Sequence, residues 1–413
     1  MATVVLMGTP DTKAEELRWV RDRVVSLGCE VTMLDVGTFS DGALADIGPG
    51  VVIAAGGGDL EEVRRGRDRG AAMDAMGRGA AVLVDRLHEE GRLDALLAIG
   101  GSSGSSVAAR AMRGLGVGVP KLLVSTMASG DVSPYVGQSD VTIMHSVVDI
   151  AGLNVVSRAV LGNAAAAAAG MAASYARTRV EPAPPDAPKV VAATMFGLTT
   201  PAVDEAREHL AALGYEVLVF HATGSGGRAM ETLAAQGALD GVLDLTTTEL
   251  ADDLVGGVLT AGPDRLEAAG RYGVPQVVSL GALDMVNFGP RESVPERFDD
   301  RQLLVHNPAV TLMRTSAEEM AALGGRIAAK LAAATGPTEV LVPLRGLSGL
   351  DVEGMPFRDE VADERLFDAL RAGLAGTSVP VRELDLAIND LGFGRQAAQM
   401  LHDLITARGR KED

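Results

Sequence analysis

The chain has 413 residues, enough for two or three packed units at roughly 100–200 residues each, so a small single-core module is excluded. Lys and Arg number 37 against 55 Asp and Glu, a net charge of −18 that repels phosphate backbones and anionic lipids and argues against a nucleic-acid or membrane partner. Only 3% of residues are aromatic, which makes base-stacking platforms hard to build, and the single cysteine, Cys29, allows no disulfide framework and no Cys-rich zinc site.

The start, 1–7, has no basic n-region and runs straight into a helical pattern, so no signal peptide is expected and the cytoplasm is the expected compartment. Short apolar runs at 3–7, 30–34, 51–54, 95–99 and 121–125 read as strands, with helices at 12–27 and 153–177. Each run is too apolar to alternate, as expected of parallel strands covered on both faces. The stretch 155–173 is rich in small apolar residues but holds Ser157, Arg158 and Asn163, and is not expected to span a bilayer. Residues 178–188, TRVEPAPPDAP, carry four prolines in eleven positions and read as a linker between lobes 1–177 and 189–413. Strand signals resume at 189–193, 215–220, 241–245, 276–280 and 339–342, and a last helical pattern covers 394–408.

The halves resemble each other. Leu27, Gly28, Glu30 and Val31 fall on Leu213, Gly214, Glu216 and Val217 at an offset of 186, and 4–7 fall on 190–193 with no gap. Leu93 and Asp94 fall on Leu239 and Asp240 at 146, and Gly118, Val119 and Pro120 on Gly273, Val274 and Pro275. The expected fold is α/β, two Rossmann-like doubly wound parallel-sheet lobes arising from an internal duplication.

In such sheets ligands lie beyond the carboxyl ends of the strands, so the loops there carry the chemistry. Gly8, Thr9, Asp11, Thr12 and Lys13 can present amides and one cation to an anion, although the loop matches neither the dinucleotide fingerprint nor the Walker sequence. Asp35 ends the second strand, where an acidic residue often holds ribose hydroxyls, and Gly56, Gly57 and Gly58 allow close backbone approach. The strongest signal is Gly100, Gly101, Ser102, Ser103, Gly104 and Ser105 between a strand and a helix, the composition of a phosphate cradle. Thr126 and Gly130 follow the next strand into the same crevice. The run also spells G-x-S-x-G with Ser102 central, so a Ser hydrolase drawing on His145 and Asp149 is the rival chemistry. In the second half, His221 takes the place of Asp35, and His221, Asp244, Asp284, His306 and Arg314 could form an acid, base and anion-clamp set facing the first lobe, or could simply cap helices and bridge lobes. No His pair has metal-ligand spacing.

The loops 8–13 and 100–106, with 146–154, 221–230, 279–290, His306-Asn307 and 312–315, resemble the ATP-binding domain family named for the tomato mosaic virus resistance protein, widespread among bacteria, over nearly the whole chain. The resemblance implies two Rossmann-like subdomains, an ATP site in the first and a homodimer. The plant member's antiviral role is not carried over, because that protein has a further region beyond this domain. On this reading ATP lies across loops 8–13 and 100–106, Lys13 neutralises charge, Asp35 meets the ribose, Asp11 holds Mg²⁺, and His221, Asp284 and Arg314 serve an unknown small-molecule substrate in the cleft between lobes. The alternative is a nucleotide-gated interaction module without turnover, using the insertion 59–90 as its partner surface.

Overall fold

The computed structural model describes residues 1–66, 68–179 and 187–412 and falls into two units, Met1–Pro184 and Pro185–Asp413. Most of the expected linker, 180–186, lies outside the described residues.

In the first unit the elements are β1 (Thr3–Gly8), α1 (Pro10–Ser26), β2 (Glu30–Asp35), α2 (Pro49–Ala55), α3 (Leu60–Gly66), α4 (Arg69–Glu89), β3 (Ala95–Gly100), α5 (Ser102–Gly114), β4 (Lys121–Ser125), α6 (Ser133–Val136), β5 (Thr142–His145) and α7 (Val155–Thr178). Every strand pair is parallel, in the order β2-β1-β3-β4-β5. Side chains alternate across the sheet. Val4 and Leu6 therefore pack with Leu17, Val20 and Leu161 of α1 and α7, whereas Val5 and Met7 pack with Val52, Met76 and Val107 of α2, α4 and α5. Burial on both faces explains why these strands read as unbroken apolar runs.

One expected strand is a helix. Residues 51–54 lie in α2, begun by Pro49 at its first turn, because a short apolar run has no period of its own. A Cβ on Gly79 would stand 1.7 Å from the Val52 carbonyl oxygen, so α2 and α4 meet backbone to backbone. The segment 155–173 lies in α7, a helix long and apolar enough by composition to cross a membrane. Its Leu161, Ala164, Ala165, Ala168 and Ala172 instead form part of this unit's core.

The second unit runs β6 (Val190–Met195), α8 (Thr200–Ala212), β7 (Glu216–His221), α9 (Ser225–Ala235), β8 (Gly241–Thr246), α10 (Glu249–Val255), α11 (Ala268–Arg271), β9 (Gln276–Gly281), β10 (Met285–Phe288), β11 (Leu303–Asn307), β12 (Val310–Arg314), α12 (Ala317–Ala332), β13 (Thr338–Pro343), α13 (Glu360–Leu374), β14 (Val381–Leu384) and α14 (Phe393–Glu412). Its parallel sheet has the order β14-β13-β9-β8-β6-β7, and β10-β12-β11 form a separate antiparallel sheet that the sequence did not announce.

From the second strand inward, both parallel sheets follow one plan, β2-β1-β3-β4 and β7-β6-β8-β9. Turn glycines recur in left-handed backbone at matched places, Gly28 (φ +86°) with Gly214 (+89°) and Gly118 (+90°) with Gly273 (+73°), as a duplication requires. The gapless match of 4–7 to 190–193 is corrected, however. Asp94 accepts the Thr3 amide and Asp240 the Val190 amide, each at 2.8 Å, so Thr3 rather than Val4 is the equivalent of Val190. One residue has been gained or lost between the first and second strands.

Candidate functional site

The order β2-β1-β3 sends the chain to opposite sides after β1 and β3, which splays the loops at their carboxyl ends and opens a crevice there. A cavity of about 800 Å³ occupies that place in the first unit. One wall is polar, made by Thr9, Asp11, Thr12 and Lys13 at the start of α1 and by Gly101, Ser102, Ser103 and Gly104 at the start of α5. The other is apolar, with Val63, Met73, Met76 and Val107, and Phe39 joins the lining from the loop after β2.

Local sequence explains the polar wall. Asp68 caps α4 and Asn154 caps α7 through their side chains, whereas α5 shows no side-chain cap among the described residues, so its first amides keep donor capacity for a ligand. Helix α1 instead opens on Pro10 and spends the Thr12 and Lys13 amides on the Thr9 carbonyl. A Cβ on Gly100 would come within 2.9 Å of the Gly104 backbone, so the turn from β3 into α5 depends on glycine. Asp11 Oδ2 accepts the Phe39 amide at 3.2 Å, and a Cβ on Gly37 would lie 2.7 Å from Asp11 Oδ1, which makes Gly37 the residue that admits this carboxylate.

Besides Lys13, two further cations at the cavity, Arg64 and Arg69, come from the insertion 59–90. Arg69, on the first turn of α4, donates to Ser103 Oγ at 2.8 Å and has no carboxylate partner among the described residues. Arg64 is committed to the carbonyls of Thr38 and Ser40, both at 2.8 Å, and to Glu61. Only the convergence of α4 on α5 reveals Arg69; its position in the sequence carries no signal.

The expected residues separate into two groups. Thr9, Asp11, Thr12, Lys13, Gly101, Ser102, Ser103 and Gly104 line one cavity, with Gly8 and Gly100 just behind. Lys13 Nζ donates to the Ile150 carbonyl at 2.6 Å, so it is anchored. Asp35 does not line the cavity; it is fully buried, Oδ1 accepts the Gly37 amide at 2.8 Å, Oδ2 has no hydrogen-bond partner among the described residues, and burial raises its pKa. Gly56, Gly57 and Gly58 follow α2 and are outside the lining, as helix-ending rather than strand-ending residues. Ser105 is buried with its hydroxyl 2.7 Å from that of Ser125. Thr126 stands behind Gly101, whose Cβ would be 3.7 Å from its hydroxyl, and Gly130 is exposed beyond.

A nucleophile elbow places its serine on a strained turn, but Ser102 is the first residue of α5 and lacks positive φ. His145 ends β5, two strands from β3 and hence about 10 Å away across the sheet. The hydrolase geometry is therefore absent at Ser102.

In the second unit the expected set is not brought together. His221 is exposed at the end of β7 with its ring 5.8 Å from that of Phe196. Asp284 and Arg314 are interior instead of facing a crevice. Arg314 pairs with Asp363 at 2.7 Å and donates to the Phe357 carbonyl at 2.6 Å, while Asp284 accepts from Ser348 Oγ at 2.8 Å. Asp351, Asp363 and Arg358 complete the cluster, and burial raises the pKa of Asp284, Asp351 and Asp363, the last to about 8. Asp244 is likewise buried, in a bidentate pair with Arg265 that also engages Glu249. Glu249 Oε1 accepts the amides of Gly224 at 2.6 Å and Gly227 at 3.1 Å, so the α9 terminus is satisfied by an internal carboxylate.

The fold and cavity thus define a duplicated Rossmann-like α/β protein with an open polar and apolar pocket in its first unit. The chain belongs to the Uncharacterised protein family (UPF0261): residues 2–177 match its N-terminal domain and 188–405 its C-terminal domain. It is 46% identical to a UPF0261 protein of Clostridium tetani over 97% of this chain and 98% of that one, and 46% identical to one of Rhizobium meliloti over 98% and 99%. The ToMV resistance protein Tm-1 of Solanum lycopersicum is 39% identical over 94% of this chain, which spans 54% of the tomato protein. A solved UDP-N-acetylglucosamine 2-epimerase from Rickettsia bellii aligns over 99% of this chain and 96% of its own at 10% identity and a TM-score of 0.23, too slight to carry an argument.

Proposed function

We propose that the first unit binds ATP with Mg²⁺ in this cavity and that the chain is an ATP-using enzyme acting on a small molecule. The observation that carries the reading is the pairing, in one cavity of nucleotide size, of the uncapped α5 N-terminus with an apolar wall. Phosphates would accept from the first amides of α5, the hydroxyls of Ser102 and Ser103 and the Arg69 guanidinium, with Lys13 contributing positive field from its anchored place. Mg²⁺ enters such sites on phosphate oxygens with one or two carboxylates, and Asp11 and Asp68 both border the cavity.

Calorimetry with ATP and Mg²⁺ tests the site. Binding by the wild type that is weakened in Ser103→Ala supports it, and absence of binding in the wild type removes it. ADP or AMP formation in the presence of pooled small metabolites separates an enzyme from a binding module.

A further inference from the structure

Which end of the cavity takes which end of the nucleotide is decided by Phe39 and Asp11. The chain has eight phenylalanines; seven are buried or half-buried, and Phe39 alone is exposed, at 69%, on the rim of the cavity. An aromatic face left in water beside a ligand cavity is a stacking surface for a planar ring. Asp11 stands next to it: Oδ2 is engaged by the Phe39 amide at 3.2 Å, and Oδ1 has no hydrogen-bond partner among the described residues. Asp11 lines the cavity, and a carboxylate oxygen without a partner accepts hydrogen bonds from hydroxyl groups, of which a ribose diol supplies two. Asp11 lies on the first turn of α1 after β1 and Phe39 in the loop after β2, whereas Arg69, Ser102 and Ser103 gather at the α5 terminus after β3.

Resting on the proposed nucleotide site, we infer that Phe39 stacks on the base and Asp11 Oδ1 accepts the ribose hydroxyls, so the nucleoside lies over the β1 and β2 loops while the phosphates point to α5 and Arg69. Asp11 is then a ribose ligand rather than the Mg²⁺ ligand, and it takes the role that the buried Asp35 cannot fill. The scarce aromatic content is no obstacle, since one ring suffices.

The test is calorimetry on the full chain with ATP, with inorganic tripolyphosphate, and with an ATP analogue lacking both ribose hydroxyls, each with Mg²⁺ and with EDTA. Phe39→Ala is expected to weaken ATP at least 10-fold and to leave tripolyphosphate unchanged, with Phe39→Trp restoring affinity. Asp11→Asn, which keeps an acceptor for the Phe39 amide, is expected to weaken ATP about 10-fold in both media and to leave the analogue unchanged. Loss of ATP affinity only when Mg²⁺ is present would return Asp11 to the metal. ATP affinity unchanged in Phe39→Ala, or tripolyphosphate weakened equally with ATP, overturns the orientation while leaving the nucleotide site intact. A wild type that binds tripolyphosphate but not ATP overturns both the orientation and the nucleotide reading, as does one that binds neither.

Discussion

Glu249 Oε2 and Arg265 Nε lie 2.7 Å apart with neither side chain reached by solvent. The other Glu249 oxygen holds the amides at the start of α9, so that helix start is satisfied by a carboxylate built into the chain. Removing one partner of a buried, hydrogen-bonded pair leaves the other charge uncompensated. Arg265→Met is therefore expected to destabilise the second unit by about 3–5 kcal/mol, read as a lower denaturation midpoint for that unit.

Arg69 bridges α4 to the Ser103 hydroxyl without a carboxylate partner among the described residues. Arg69→Ala should lower ATP affinity on the order of 10-fold or more and flatten its dependence on ionic strength, because a charge-assisted contact to phosphate is lost. The midpoint of thermal unfolding should hardly move, as the side chain is exposed.

Gly79 gives the sharpest packing test. Its added Cβ would meet backbone rather than a yielding side chain. Gly79→Ala should separate α2 from α4 at a cost of about 2–3 kcal/mol, a fall of roughly 5–10 °C in Tm for a unit of this size. Ala in place of the exposed Gly66 should cost far less, since a Cβ there meets nothing.

The cluster around Arg314 makes the second unit sensitive to pH. Three carboxylates, Asp284, Asp351 and Asp363, face two guanidinium groups, Arg314 and Arg358, so full ionisation leaves one negative charge buried. Burial raises all three pKa values, that of Asp363 from 3.8 to about 8. The folded state then holds more protons than the unfolded one, and a raised acid contributes stability that is present below its unfolded pKa and lost as pH rises through its folded one. Urea denaturation followed by circular dichroism should show the second unit losing stability as pH rises from 3.8 towards about 8, with a shallower slope in Asp363→Asn. A wild-type slope equal to that of the variant would refute the assignment.

Much of this was legible before the fold was known. The glycine and hydroxyl run 100–105 announced a strand-to-helix turn, and it leads to the α5 terminus at the cavity. The paired glycines and strand signals announced the repeat, though the one-residue gap beside β1 emerged only from the matched Asp94 and Asp240 bonds. The run 51–54 misled because four apolar residues fit a helix and a strand equally well.

By itself the sequence determined the two α/β halves, their kinship and the loops able to meet an anion, since helix starts, turns and apolar runs are written by residues close together along the chain. Only the tertiary structure decided that Asp35, Asp284 and Arg314 are interior, that Glu249 holds the amides at the start of α9, and that Phe39 and Arg69 join Asp11 and Ser103 around one cavity. Burial and convergence depend on partners many residues away, and no local pattern of side chains encodes which distant groups will arrive.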